Sequence, residues 1–274
     1  MVVFPNCKIN LGLRIIRKRN DGYHDLETIF YPIPMNDALE VIRTPATDTN
    51  LAFQSSGLTI SGDTSNNLCV KAYQLLKKDF PQLGPVQMHL HKVIPMGAGL
   101  GGGSSDGAFA LQLINDLFHL QLSKEQLIGY ALQLGSDCPF FILNQPCFAS
   151  GRGEKMEPVT LDLSGYHFAI VNPGIHINTG WAFSQLQLNE PNQLELPDLR
   201  TIIQQPVSGW KETLINDFEA PVCKAHPEIA SVKQQLYDAG AVYASMTGSG
   251  STVFGLFTEK KELNFPEHYF WKLI

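Results

Sequence analysis

Pro95-Met96-Gly97-Ala98-Gly99-Leu100-Gly101-Gly102-Gly103-Ser104-Ser105 is the stretch on which the reading of this chain turns. Glycines at 97, 99, 101, 102 and 103 let the backbone approach a ligand closely and take left-handed dihedrals at little steric cost. Before this stretch, Val86, Met88 and Leu90 alternate with Gln87, His89 and His91, the period of a strand. After it, Ala108, Leu111, Ile114, Leu117 and Phe118 recur at helical spacing, which predicts an amphipathic helix from Asp106, where the glycines stop. Strand, glycine turn and helix together make an anion site, because a helix start offers free N–H groups and the positive end of its dipole. A mere flexible linker has no need of a strand and a helix to bracket it.

Gly97, Gly99 and Gly102 also fit G-x-G-x-x-G, the dinucleotide fingerprint, but that unit requires an acidic residue on a second strand roughly 20 positions on. Asp116 instead falls inside the helical pattern. No Lys stands between the glycines and Ser104, so the Walker form fails as well. The turn is a phosphate loop of a third kind.

The N-terminal segment reads as a strand: Cys7, Ile9, Leu11 and Leu13 alternate with Lys8, Asn10 and Gly12, which places Lys8 and Asn10 together on an open face. Turn residues Asn20-Asp21-Gly22 lead to Tyr23-His24-Asp25 and a second strand through Ile33. A helix is expected over Asn66 to Lys78 with Pro81 ending it, and Ser123 with Gln126 forms a capping box for another through Leu134. Gly135-Ser136-Asp137 reads as a turn into an apolar strand, Phe140 to Leu143. The polar segment Gly151 to Pro158 suggests a boundary, dividing the chain into 1–155 and 156–274. Beyond it a strand at His167 to Val171, a helix near Ala230 to Asp238 and two strands around Thr247-Gly248-Ser249-Gly250 are expected.

By position alone these polar residues stay open to two readings. Asp137 is as readily a turn residue bonding its own backbone as a catalytic carboxylate. Lys8 by itself reads more readily as a solvated lysine than as a functional one. Tyr23 and His24 could be surface residues, and His89 with His91 lacks the third ligand that a metal site needs.

The chain has 274 residues, 44% of them hydrophobic and 17% charged, enough for one large domain or two modest ones with a substantial core. A net charge of −6 argues against a nucleic-acid or anionic-membrane surface, so no partner of either kind is expected. The cysteines, Cys7, Cys69, Cys138, Cys147 and Cys223, are odd in number and show no Cys-x-x-Cys spacing, which reads as reduced thiols in a cytoplasmic protein. No signal segment or 18-residue apolar run is apparent.

Taken in order, Lys8-Ile9-Asn10-Leu11-Gly12-Leu13, Asp21-Gly22-Tyr23-His24-Asp25-Leu26, Pro95 to Ser105, Gly135-Ser136-Asp137-Cys138-Pro139 and Met246-Thr247-Gly248-Ser249-Gly250 resemble the GHMP kinase superfamily from roughly Lys8 to Phe254. The resemblance implies an α+β fold of two lobes, an N-terminal ATP-binding lobe like ribosomal protein S5 domain 2 and a ferredoxin-like C-terminal lobe, with the site between them. Asp-Gly-Tyr-His near the N-terminus, together with Asn216-Asp217-Phe218-Glu219, narrows it to the branch that phosphorylates a cytidine-diphosphate-linked methylerythritol on its tertiary 2-hydroxyl. Ala98 and Gly107 stand where the pattern leads us to expect Gly and Ala.

By that resemblance Asp137 is the general base and Lys8 lies beside it to orient or stabilise charge. Residues Pro95 to Ser105 hold the phosphates of ATP, with the adenine near Asn67 and Lys92, and Ser104 or Ser105 touches phosphate or magnesium. Tyr23 and Phe183 stack on the cytosine, His24 reads its edge, and Asn10 and Thr179 complete the acceptor site. Mg²⁺ is expected to arrive with ATP rather than at a protein cage. The implied assembly is a monomer or homodimer. Two rivals stand beside this reading: a kinase of the same superfamily acting on homoserine or mevalonate, and a nucleotide sensor without catalysis, against which the presence of both Asp137 and Lys8 speaks.

Overall fold

The computed structural model describes residues 1–45, 50–186 and 197–274. The strands of the described residues are β1 (Val2–Val3), β2 (Asn6–Lys18), β3 (His24–Asn36), β4 (Ala38–Arg43), β5 (Leu51–Gly57), β6 (Val86–Lys92), β7 (Cys147–Ser150), β8 (Lys155–Pro158), β9 (His167–Asn172), β10 (Tyr243–Met246), β11 (Val253–Phe257) and β12 (Phe270–Leu273). The helices are α1 (Leu68–Asp79), α2 (Gly102–Phe118), α3 (Lys124–Leu134), α4 (Cys138–Leu143), α5 (Thr179–Ser184), α6 (Leu199–Ile202), α7 (Glu219–Ala225) and α8 (Pro227–Asp238). The chain divides into two compact units, one of Met1–Cys7, Pro32–Met96 and Gly101–Gln145, the other of Lys8–Tyr31, Gly97–Leu100 and Pro146–Ile274. These units alternate along the sequence, and the linear division into 1–155 and 156–274 stays a proposal about sequence modules.

In the first unit the sheet runs β1-β4-β6-β5, with β4 antiparallel and β5 parallel to β6. Parallel neighbours need a crossover, and α1 supplies it between β5 and β6. Strand alternation buries Val86, Met88 and Leu90 and exposes His89 and His91, as the period requires. The same period carries Lys92 to the buried side. Asn67 caps α1 by accepting from the Cys69 amide at 2.9 Å, and the Ser123/Gln126 capping box opens α3.

Two local expectations are corrected in this unit. Helix α2 begins at Gly102 rather than Asp106, so Gly102, Gly103, Ser104 and Ser105 form its first turn and Gly101, at φ 69°, precedes it. Residues Phe140 to Leu143 belong to helix α4, not to a strand, with Pro139 in its first turn and Phe140, Phe141 and Ile142 all buried. A short apolar run buried on every side carries no period to tell helix from strand, while a proline at the start of a helix costs no hydrogen bond.

The second unit contains the antiparallel sheet β10-β11-β9-β12, in which Val253 pairs with Val171 and Ala244 with Gly255. Its core joins Leu13 and Ile15 to Val171, Phe218, Ile229 and Leu236. Another sheet has the order β2-β3-β7-β8, and β7 and β8 form a hairpin in which Ser150 pairs with Lys155. The polar segment 151–158 is therefore a hairpin turn with its second strand, not an open linker. The expectation for β2 is corrected too: Asn6 to Leu13 are buried without alternation, so Lys8 and Asn10 lie on no open face. Among the described residues no helix is long and apolar enough to cross a membrane, and all five cysteines are free thiols.

Candidate active site

In the second unit β2 brings a charge into the interior. Lys8 is 3% exposed, and its ammonium donates to Asn10 Oδ1 at 2.7 Å and to the Gly99 carbonyl at 3.2 Å. It also lies 5.0 Å from the centre of the Phe30 ring. Thr247 closes the cluster: its Oγ1 accepts from the backbone N–H of Asn10 at 3.0 Å and reaches Gly99 O at 3.1 Å and Asn10 Oδ1 at 3.2 Å. The hydroxyl has one proton, so it donates to one of those two acceptors at a time. Asn10 Nδ2 in turn donates to Thr28 Oγ1 at 3.1 Å.

Gly99 is required here by close approach as much as by its φ of 77°, since a Cβ at this position would lie 2.2 Å from the Thr247 carbonyl. The glycine turn is thus locked to Thr247-Gly248, and Asn216 holds that turn from behind by donating to the Met246 and Gly248 carbonyls at 2.8 Å each. Thr247 and Asn216 fall within sequence motifs, but neither carries a role that the sequence alone assigns. The available signal was the Thr-Gly-Ser-Gly turn itself, whose glycines at 248 and 250 both have positive φ.

The residues expected to recognise a base also lie in the second unit. Tyr23 is 56% exposed, with the Arg152 guanidinium 4.9 Å from its ring centre. His24 stacks on Phe183, with 4.3 Å between centroids and 11° between planes, and Phe183 meets Phe218 edge to face. Burial, with a smaller effect of Lys18, lowers the His24 pKa, so at neutral pH its imidazole offers one donor and one acceptor. Thr179, at the start of α5, shares a hydrogen bond of 2.9 Å with the Ser249 hydroxyl.

The first unit holds Asp137, part-exposed at the N-cap position of α4, where its side chain makes no capping bond. The neighbouring Cys138 is inert as a nucleophile: burial pushes its thiol up to about 12 despite a hydrogen bond with Ser104. Gly101 has no capping side chain, which leaves the first amides of α2 for an anion. Ser104 is the accessible hydroxyl of this turn, whereas Ser105 Oγ is buried with no hydrogen-bond partner. Pro95 is part-buried and Met96 is 48% exposed. Ala98 and Leu100 turn their side chains inward, and Gly97 is exposed. Asn67 is occupied in capping α1, and the Lys92 ammonium is wholly buried between Asp37 and Asp106, where it is not presented to a nucleotide. Gly107 has its own reason: a Cβ there would come 2.7 Å from Leu68 Cβ.

Among the described residues no group of three or more His, Cys, Asp or Glu could hold a metal ion. His89 and His91 both contact the Ser56 hydroxyl, at 2.9 and 3.0 Å.

Comparison with known proteins gives two family matches: GHMP kinases N terminal domain over residues 67–151 and GHMP kinases C terminal over 208–265. The chain is 51% identical over 263 residues to the 4-diphosphocytidyl-2-C-methyl-D-erythritol kinase of Bacteroides fragilis strain YCH46, covering 96% of this chain and 94% of that protein. A crystal structure of 4-(cytidine 5′-diphospho)-2C-methyl-D-erythritol kinase matches with a TM-score of 0.79 at 33% identity, over 93% of this chain and 90% of that one. The mevalonate kinase of Methanococcus jannaschii matches with a TM-score of 0.72 over 93% of this chain and 90% of its own, but at 14% identity, which is a likeness of fold alone.

Proposed function

The chain belongs to the 4-diphosphocytidyl-2-C-methyl-D-erythritol kinases, ATP-dependent GHMP kinases of non-mevalonate isoprenoid biosynthesis with an α+β fold, and from that membership we propose how its own residues carry the reaction. The acceptor's tertiary 2-hydroxyl oxygen attacks the γ-phosphorus of ATP, the bond to the β,γ-bridging oxygen breaks, and ADP leaves. The hydroxyl proton passes to the carboxylate of Asp137. Such a transfer needs alignment and charge neutralisation more than covalent help, and a carboxylate can take the proton late.

The glycine turn and the uncapped start of α2 bind the phosphates through backbone amides, and Ser104 is the hydroxyl available to them. Lys8 supplies a fixed positive charge for the transferring group. Magnesium enters as part of the nucleotide substrate. Tyr23 and Phe183 stack with the cytosine, neutral His24 bonds its edge, and Asn10 and Thr179 take the acceptor. The single observation that carries this reading is the Lys8 ammonium bonded to the Gly99 carbonyl, which ties the cation of β2 to the backbone of the phosphate turn.

ADP release by the purified protein tests the assignment when the cytidine-linked methylerythritol, mevalonate and homoserine are offered in turn. Turnover is expected with the first alone. Comparable turnover of homoserine or mevalonate would overturn it.

A further inference from the structure

Asp37, Lys92 and Asp106 form a charged cluster in the interior of the first unit, with side-chain exposures of 0%, 0% and 3%. Asp37 sits between β3 and β4. One of its oxygens accepts from the amides of Val93 and Ile94, and the other pairs with the Lys92 ammonium. The ammonium also donates to Asp106 Oδ2 at 2.7 Å. Lys92 to Ile94 is the arm that enters the glycine turn, and Asp106 lies on the helix that leaves it. Gly102 is wedged between them, since a Cβ there would come 2.8 Å from Ile94 Cγ2 and 3.0 Å from Lys92 Nζ. The cluster therefore grips both arms of the turn at once.

An apolar trio of the same volume could fill this space without desolvating three charges, and such replacements are often neutral or stabilising. What the ions add is direction, because a charge-assisted hydrogen bond fixes the distance between its partners as a hydrophobic contact does not. We propose that Lys92 and Asp106 are positioning residues, whose buried charge-assisted hydrogen bond staples the end of β6 to the first turns of α2 and so fixes the phosphate-binding amides for ATP. This rests on the reading of the turn as the phosphate site. Burial, aided by Asp37, raises the carboxyl of Asp106 to about 8 against the opposing pull of Lys92, so at neutral pH the carboxyl keeps its proton and the net charge of the cluster stays near zero. The amide of asparagine closely imitates that protonated carboxyl and can still accept from Lys92.

Asp106→Ala cuts the staple while leaving the pair of Lys92 with Asp37, and Asp106→Asn keeps it. The Michaelis constants for ATP and for the cytidine-linked alcohol are measured for both, with Gly101→Val alongside. Asp106→Ala is expected to raise the ATP constant about tenfold and to leave the alcohol constant within twofold, and Asp106→Asn to restore the parent values. An ATP constant within twofold of the parent in Asp106→Ala, while Gly101→Val loses ATP binding, overturns the staple and spares the phosphate-turn reading. Unchanged ATP binding in Gly101→Val overturns that reading and the staple with it. Should Asp106→Ala not fold, the packed double variant Lys92→Met with Asp106→Leu takes its place under the same expectation. A tenfold loss in folded Asp106→Asn equally contradicts the proposal.

Discussion

His24 lies flat on Phe183, 4.3 Å from centroid to centroid and 11° from parallel, so one face of the Phe183 ring is covered by an imidazole. A base that stacks on Phe183 would have to displace His24 or take the other face of the ring. The stack couples His24 to Phe183, so in the proposed base recognition the two are expected to act as one unit, with Tyr23 exposed nearby in sequence. Stacking on an aromatic ring is worth roughly 1–3 kcal/mol per base, so Phe183→Ala and Tyr23→Ala are each expected to raise the Michaelis constant for the cytidine substrate about five- to a hundredfold. The ATP constant stays unchanged. An equal rise in both constants would assign these rings to stability instead.

Gly101 has a φ of 69°, a region that costs a β-branched residue dearly, and it immediately precedes α2. Gly101→Val is expected to weaken ATP binding by about tenfold or more, both by turning the first amides away and by crowding the phosphate. Calorimetric titration of the folded variant decides this, and unchanged affinity would remove the turn from the nucleotide site.

The buried cluster predicts a pH dependence of stability. The groups facing Asp106 are Asp37, Lys92 and the Cys69 thiol, which burial holds neutral well above its ordinary value. The Asp106 carboxyl binds its proton up to about 8 in the folded chain against 3.8 when unfolded. Between those values the folded state holds more protons, so this contribution is full below the unfolded value and is lost as pH rises through the folded one, at most about 1.4 kcal/mol per pH unit. Thermal unfolding midpoints from pH 6 to 9 are expected to fall more steeply in the parent than in Asp106→Asn. Superimposable profiles would show that the carboxyl is ionised throughout.

Asn216 is 1% exposed, donates to two carbonyls at 2.8 Å and accepts from the Phe218 amide at 3.0 Å. Asn216→Ala takes this partner from the Phe218 amide and from two carbonyls, of which Gly248 O is part-buried, and each buried group left unsatisfied costs about 1–3 kcal/mol. A loss of about 3 kcal/mol or more in denaturant unfolding is expected. A loss below about 1 kcal/mol would mean that water replaces the amide.

The parts of the site that were legible in the sequence are those written locally. The glycine turn is bracketed by a strand and a helix, and the capping box at Ser123 and Gln126 is confined to adjacent residues. Lys92 was legible in principle: the alternation that buries Val86, Met88 and Leu90 places it on the same face two residues on. Its charge argued for the surface, and its counterion Asp37 is 55 residues away in sequence. The interior position of Lys8 and Asn10 was not legible, because a contact that encloses them comes from Thr247, 237 residues beyond Asn10. The helix at Phe140 to Leu143 escaped because burial on all sides erases periodicity.

The proposed phosphoryl transfer with Asp137 as the proton acceptor is tested most directly by single-turnover ADP formation in Asp137→Asn, alongside calorimetric binding of ATP and the cytidine-linked alcohol. Asparagine is nearly isosteric but cannot take the proton, so both affinities are expected within about threefold of the parent while transfer slows about a hundredfold or more. Near-normal transfer in that variant would contradict the account, for it would mean that alignment alone suffices and that another group or water receives the proton.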